Sequence, residues 1–336
     1  MLYISKAKEE NYLLCRADFL RGILSRETNS GDRGECFLIL FLQKSFWMGG
    51  HSLYFCLLAD NYNKIDDMKN AVVAIQRMEG KYIREWIEHY LSLGFDLVII
   101  CDNNKDGDTE DICEIVKDYV DDGKVIIEDY RNRIKAQMQC YCDMYLKYGS
   151  EYNILYCDID EFLVLEKHKS ISEFLTSIPS DWECVVFNWM TMTDSGQIYA
   201  DYSRGVKERF TEANPNAMSQ YNFVDDCHVK SLVRSGLDKV QFTGNPHIPS
   251  TPLKVFNALG LRCDQSPFQS VIHKVGYIRH YTTKSLEEYC CHKLMRGTGD
   301  RSYELFLQTY GNRYFRINDW TKEKQQYLDR IGFKGI

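Results

Sequence analysis

The sequence predicts an α/β protein built on a mainly parallel sheet with helices on both faces and further helices at the C-terminal end. Three observations support this. Short apolar runs alternate with stretches of helical periodicity, the connections between them are brief, and polar residues gather directly after the apolar runs. In order, Ala71–Ile75 is a strand, and Ile83, Trp86, Ile87, Tyr90 and Leu91 lie at helical spacing before Gly94. Asp96–Cys101 is a second strand, left through the turn-forming cluster Asp102–Asp108, and Ile112, Ile115, Val116 and Tyr119 mark the next helix. Lys124–Glu128 is a third strand, and a helix over 133–147 leads to a fourth at Asn153–Cys157. Such alternation makes neighbouring strands parallel and sends ligand-binding groups to their carboxyl ends. Gln76, Glu79, Asp102, Asn103, Asp158 and Asp160 all fall there. Downstream, Val185–Asn188 and Val275–Arg279 are strand-like, and 284–296 and 320–331 have the spacing of amphipathic helices that could close the fold or touch a membrane surface.

The chain has 336 residues, 44% hydrophobic and 13% aromatic, a composition that supports a buried core rather than disorder. A net charge of −7 argues against a protein that holds nucleic acid through its phosphates. The thirteen cysteines are odd in number and form no C-x-x-C, so reduced thiols and no structural zinc are expected, as in a cytoplasmic protein. Residues 1–67 differ from the rest. Their apolar stretch from Cys36 to Leu58 is interrupted by Gln43, Lys44, Gly49, Gly50 and His51, too often for a bilayer span, and no signal peptide is expected. They are either an accessory region or lie outside the functional unit, and the second reading is preferred because Met68 precedes the first strand as a plausible natural start. The expected division is 1–67, a functional domain over 68–300, and a helical extension over 301–336.

The segment Tyr156-Cys157-Asp158-Ile159-Asp160-Glu161-Phe162 sets three carboxylates at the end of the fourth strand. If the strand continues, side-chain alternation points Asp158 and Asp160 the same way, and two adjacent carboxylates need a cation or a shared proton between them. Mg²⁺ or Mn²⁺ suits such a pair and usually completes its shell with water and substrate phosphates. The plainer alternative is a solvated acidic turn.

Several blocks in one order carry a resemblance: Ala74–Gly80 with Tyr82–Trp86, Asp102-Asn103, Asp158–Phe162, Phe187–Met190 with Asp194–Gly196, Lys207–Phe210, His228–Ser231, Asn245-Pro246-His247 and Arg279–Glu288. The sequence resembles bacterial glycosyltransferases of the GT-A fold, of the family 2 and family 92 type found in lipopolysaccharide and capsule synthesis. That resemblance implies a metal-dependent, inverting enzyme of hexosyltransferase type at the inner face of the cell membrane. It would move a sugar from a nucleotide-sugar donor to a glycan or lipid-linked acceptor.

The resemblance implies that Asp160 binds Mn²⁺ or Mg²⁺ directly, with Asp158 reaching the metal or the ribose, Glu161 in either shell, and His280, or second His247, completing the set. Gln76, Glu79, Asp102, Asn103 and Lys135 would meet the nucleotide sugar, with Arg131 and Arg133 as further basic residues. Asp194 is the first choice for the base that activates the acceptor hydroxyl, with Asp225 and Asp226 as alternatives. Trp189 could stack on a sugar, and Arg209, Lys230 and Lys284 could contact phosphate or acceptor. Two other classes share parts of the pattern. A haloacid-dehalogenase-like phosphatase also carries D-x-D after an apolar strand, usually the first of its sheet, but has Thr or Val where Phe162 stands. A noncatalytic sugar-binding protein would need only the pocket.

Overall fold

Four parallel strands form one half of the sheet: β1 (Lys69–Gln76), β2 (Leu97–Asp102), β3 (Val125–Asp129) and β4 (Tyr152–Tyr156), in the order β3-β2-β1-β4. The computed structural model describes residues 69–215, 225–267, 270–297 and 313–333; the expectations for 1–67 lie outside them. Helix α1 (Gly80–Ser92) forms where the apolar spacing predicts it, burying Tyr82, Ile83, Trp86, Ile87 and Tyr90, and Gly94 ends the turn after it at φ +80°. The single helix expected through 112–119 is broken at Val116, whose φ of −117° leaves the helical region, into α2 (Ile112–Ile115) and α3 (Lys117–Asp121). Helix α4 (Ala136–Tyr148) begins after Lys135, which has φ +53°.

Both faces of β1 are covered. Val72 and Ala74 pack in one buried cluster with Trp86 and Ile87 of α1, while Ala71 and Val73 pack in another with Cys140, Tyr141 and Met144 of α4. Each large side chain so buried contributes about 1.5–3 kcal/mol relative to exposure.

The second half is mixed. It comprises β5 (Glu161–Leu165), β6 (Cys184–Thr191), β7 (Val229–Val233), β8 (Val255–Asn257) and β9 (Gly276–His280), with α5 (Ile171–Ser177) and α6 (Val206–Arg209) in the connections. Antiparallel β7 lies between β4 and β6, giving the order β3-β2-β1-β4-β7-β6-β9-β5 with β8 beside β6. Five of the eight strand pairings are parallel, so the sheet is mainly parallel as expected. The strand bearing the acids is the fourth in the chain among the described residues, unlike the first strand of a haloacid-dehalogenase-like phosphatase.

Strand β9 approaches β6 closely. A Cβ on Gly276 would stand 2.8 Å from the Phe187 ring, so the smallest residue is needed there. The register then sets His280 opposite Glu161 on one side and Thr191 on the other.

The C-terminal part adds a helical run over 286–296 (α7) that contains a π turn at Tyr289–Lys293, then α8 (Arg313–Ile317) and α9 (Lys322–Ile331). A capping box of Ser285 and Glu288 starts α7. Leu286, Tyr289, Leu294, Tyr314, Tyr327 and Leu328 form a third apolar cluster that joins these helices. No described helix is long and apolar enough to cross a membrane. The ten cysteines among the described residues are free thiols.

Candidate active site

The carboxylates lie in a turn, not in a strand. Extended pairing stops at Tyr156, and Glu161 N donates to Asp158 O at 3.0 Å. Helix α1 fixes this turn from below, since Trp86 Nε1 and Tyr90 OH both donate to Glu161 O, at 2.9 and 3.1 Å. Alternation therefore no longer applies, and the expectation that Asp158 and Asp160 point the same way is corrected. Glu161, not Asp158, stands beside Asp160.

Ligand atoms from Asp160, Glu161 and His280 lie within 4.8 Å of one another, all three residues buried. His280 Nε2 is 3.6 Å from Asp160 Oδ1. Burial works against ionising Asp160, but Lys293 and His280 beside it hold its carboxyl well below the usual range. Burial lowers His280 to about 4, which leaves a neutral imidazole, and pushes Glu161 up to about 8 despite Lys230. Glu161 Oε1 and His280 Nδ1 are buried without hydrogen-bond partners among the described residues. Two carboxylates, one imidazole and these unmatched atoms are a donor set that fits Mn²⁺ or Mg²⁺.

Asp158 is directed elsewhere. Its Oδ1 accepts from Gln137 Nε2 at 2.9 Å and from Tyr141 OH at 3.4 Å, and its Oδ2 from Lys230 Nζ at 2.9 Å. The Lys230 ammonium also lies 3.1 Å from Glu161 Oε2. Burial opposes that charge, yet Asp158 and Glu161 hold the ammonium proton well above its usual pKa. Lys230 is thus a fully buried counter-ion and not an acceptor contact.

His247 does not join the metal-capable set. Its Nδ1 is 3.1 Å from Val229 O, and its ring packs against Trp189 and His228. Trp189 is itself buried among His228, His247 and His280, with the last ring centroid 4.1 Å away. An indole so enclosed orients His280 and offers no face to a sugar. Arg209 likewise leaves the acceptor side, because it is buried in a two-bond pair with Glu288 at 2.7 and 2.9 Å.

Asp194, expected as the base, is buried under the C-terminal helices. Its Oδ2 lies 2.5 Å from Lys324 Nζ and accepts a short hydrogen bond from Tyr314 OH, and its backbone N–H donates to Asn318 Oδ1 at 2.6 Å. An acid occupied in this way anchors α8 and α9 and cannot meet an acceptor. Asp225 is paired with Arg313 at 3.2 Å and Arg316 at 3.5 Å. Asp226 accepts from Thr191 N at 2.8 Å, one strand from His280, and burial raises its carboxyl.

At the ends of β1 and β2, Gln76 donates to Asp102 Oδ1 at 2.7 Å, and Asn104 N donates to the same oxygen at 3.0 Å. Asp102 Oδ2 has no protein donor among the described residues. Asn103 is committed to the backbone, donating to Tyr130 O at 2.7 Å and Arg133 O at 3.0 Å. Glu79 makes a short buried ion pair with Arg296, which excludes it from direct nucleotide contact. Lys135 is exposed two residues before Gln137, and Arg131 pairs with Asp129 in solvent.

Lys293, Gln137 and Arg296 were not singled out from sequence. Lys293 Nζ contacts Asp160 Oδ2 at 2.9 Å and Thr282 O at 2.6 Å, a placement that depends on the π turn. Gln137 carried a usable signal, being a polar residue at the start of a helix on the ligand edge.

Residues 69–326 match glycosyltransferase family 92. No curated protein matches the chain. Among solved structures, S. aureus TarS 1–349 is 18% identical over 40% of this chain and 39% of that one, with a TM-score of 0.30. The same protein in complex with UDP-GlcNAc is 20% identical over 40% and 37%, with a TM-score of 0.29. Mannosyltransferase PcManGT from Pyrobaculum calidifontis, in complex with GDP-Man and Mn²⁺, is 8% identical over 49% and 44%, with a TM-score of 0.29. The chain spans about two fifths of the length of the TarS structures. The α/β architecture expected of a GT-A enzyme is the one observed. With the family match running through the whole described sheet and site, the chain belongs to glycosyltransferase family 92.

Proposed function

We propose that the chain is a metal-dependent glycosyltransferase that moves a sugar from a nucleoside-diphosphate donor to an acceptor hydroxyl. The observation that carries this reading is the buried group Asp160, Glu161 and His280 at the carboxyl edge of the sheet, on a chain of this family. Those three residues would hold Mn²⁺ or Mg²⁺, which when bound supplies positive charge to the diphosphate as it leaves. Asp158, tied to Lys230 and Gln137, orients the acidic turn rather than ligating. Asp102, through its free oxygen at the same edge, accepts from the ribose or base of the donor.

For an inverting transfer the acceptor must lose a proton as its oxygen attacks the anomeric carbon. Asp226 is the best-placed acid for that task, since it is linked through Thr191 to the strand carrying His280 and burial raises its affinity for a proton. The acceptor is a sugar hydroxyl of a glycan or of a lipid-linked glycan, met at the inner face of a membrane. The test is a panel of nucleotide sugars screened by thermal shift with Mn²⁺, followed by transfer assays with those that bind. Stabilisation by one nucleotide sugar, and turnover lost in Asp226→Asn with donor binding kept, is the expected pattern. A panel with no stabilising member contradicts the reading.

A further inference from the structure

Lys284 lies in the turn between β9 and α7, and is only 6% exposed. Its φ of +54° is a left-handed conformation that disfavours a residue with a Cβ. The ammonium sits 4.3 Å from the centroid of the Tyr82 ring, and among the described residues no carboxylate or hydrogen-bond acceptor pairs with it. The two carboxylates its charge reaches are already matched. Asp160 has Lys293 at 2.9 Å. Glu288 has both Arg209 nitrogens, Tyr82 OH at 2.9 Å and Ser285 Oγ at 2.6 Å. Three cations, Lys284, Lys293 and Arg209, thus face two carboxylates, and the excess charge is the buried one with no partner.

A buried ammonium without a counter-ion is costly unless something brings one. We propose that Lys284 is an anion-binding residue beside Asp160 that takes a diphosphate, the one of the nucleoside-diphosphate donor. Only the choice of nucleoside diphosphate rests on the glycosyl-transfer reading; the demand for a phosphate-type anion arises from the charge excess itself. In this arrangement the diphosphate meets a fixed cation at Lys284 and the metal-capable group at Asp160, on opposite sides. Arg209 and Lys230 cannot serve in its place, because both are buried in ion pairs.

The test uses the full chain and its Lys284→Met and Lys284→Gly variants. UDP, GDP and inorganic pyrophosphate are each titrated by calorimetry, and ligand-free melting temperatures are measured. Removing the ammonium should weaken anion binding by about tenfold or more, the loss of one charge-assisted contact. The ligand-free melting temperature should stay level or rise, because an unpaired buried charge has gone, and Gly also relieves the positive φ. A purely structural Lys284 gives the reverse pattern, a lower melting temperature with unchanged affinity, and overturns the proposal. So does a wild-type chain that binds none of the three anions. If pyrophosphate binds through Lys284 but UDP and GDP bind no better, the anion site stands and the donor reading fails. If UDP or GDP binds equally to wild type and both variants, the donor reading stands and Lys284 is not its anchor.

Discussion

Lys293 Nζ lies 2.9 Å from Asp160 Oδ2, so the aspartate best placed to hold a metal already has a lysine as its counter-ion. The lysine is delivered by the π turn of α7, and its side chain also donates to Thr282 O. Burial pushes this ammonium toward neutrality, while Asp160 pulls the other way.

Removing that lysine should therefore favour a cation. Unit charges about 4 Å apart interact by roughly 4 kcal/mol at an effective dielectric of about 20, so losing even part of this repulsion matters. Lys293→Met is expected to bind Mn²⁺ alone about tenfold more tightly than wild type, as measured by calorimetry without nucleotide. Weaker binding in the variant would mean that Lys293 organises the site instead of competing for it.

Asp194 is predicted to act in stability rather than in catalysis. Asp194→Asn leaves Lys324 buried beside Tyr314 without its carboxylate, and breaking a buried pair from one side costs about 3–5 kcal/mol. Urea denaturation should show that loss, with nucleotide affinity in the folded protein nearly unchanged. Normal stability with abolished turnover would return the proton-accepting role to Asp194.

Glu288 gives the fold an acid-sensitive bond. Burial acts against it, but the Arg209 and Ser285 hydrogen bonds hold its carboxyl at about 2, below the ordinary value of 4.5. A depressed folded-state pKa contributes stability that is present above pH 4.5 and is lost as the pH falls toward 2. Glu288→Gln should be less stable than wild type at pH 7, and the difference should shrink between pH 4.5 and 2. Parallel stability curves for the two proteins over that range would contradict the assignment.

The parallel half of the fold was legible because its strands are buried on both faces and its helices are amphipathic, so periodicity alone separates them. Asp160 and His280 were legible by position after a strand. The turn at Asp158 was not, because a strand that stops at Tyr156 and one that continues differ by a single backbone bend, and that bend decides which acid joins Asp160. The burial of Asp194, Arg209 and Lys230 was also hidden. Each is satisfied by a partner far along the chain, Lys324, Glu288 and Asp158 respectively, and such pairings leave no local pattern.

The central claim is that Asp160, with Glu161 and His280, holds a metal on which donor binding depends. The most direct measurement is calorimetry of UDP and GDP binding to wild type and Asp160→Asn, each with Mn²⁺ and with a chelator. The account predicts tight binding only for wild type with Mn²⁺, and at least about a tenfold loss in each of the other three conditions. Equal affinity with metal and with chelator, or an Asp160→Asn protein that binds as wild type does, would contradict it.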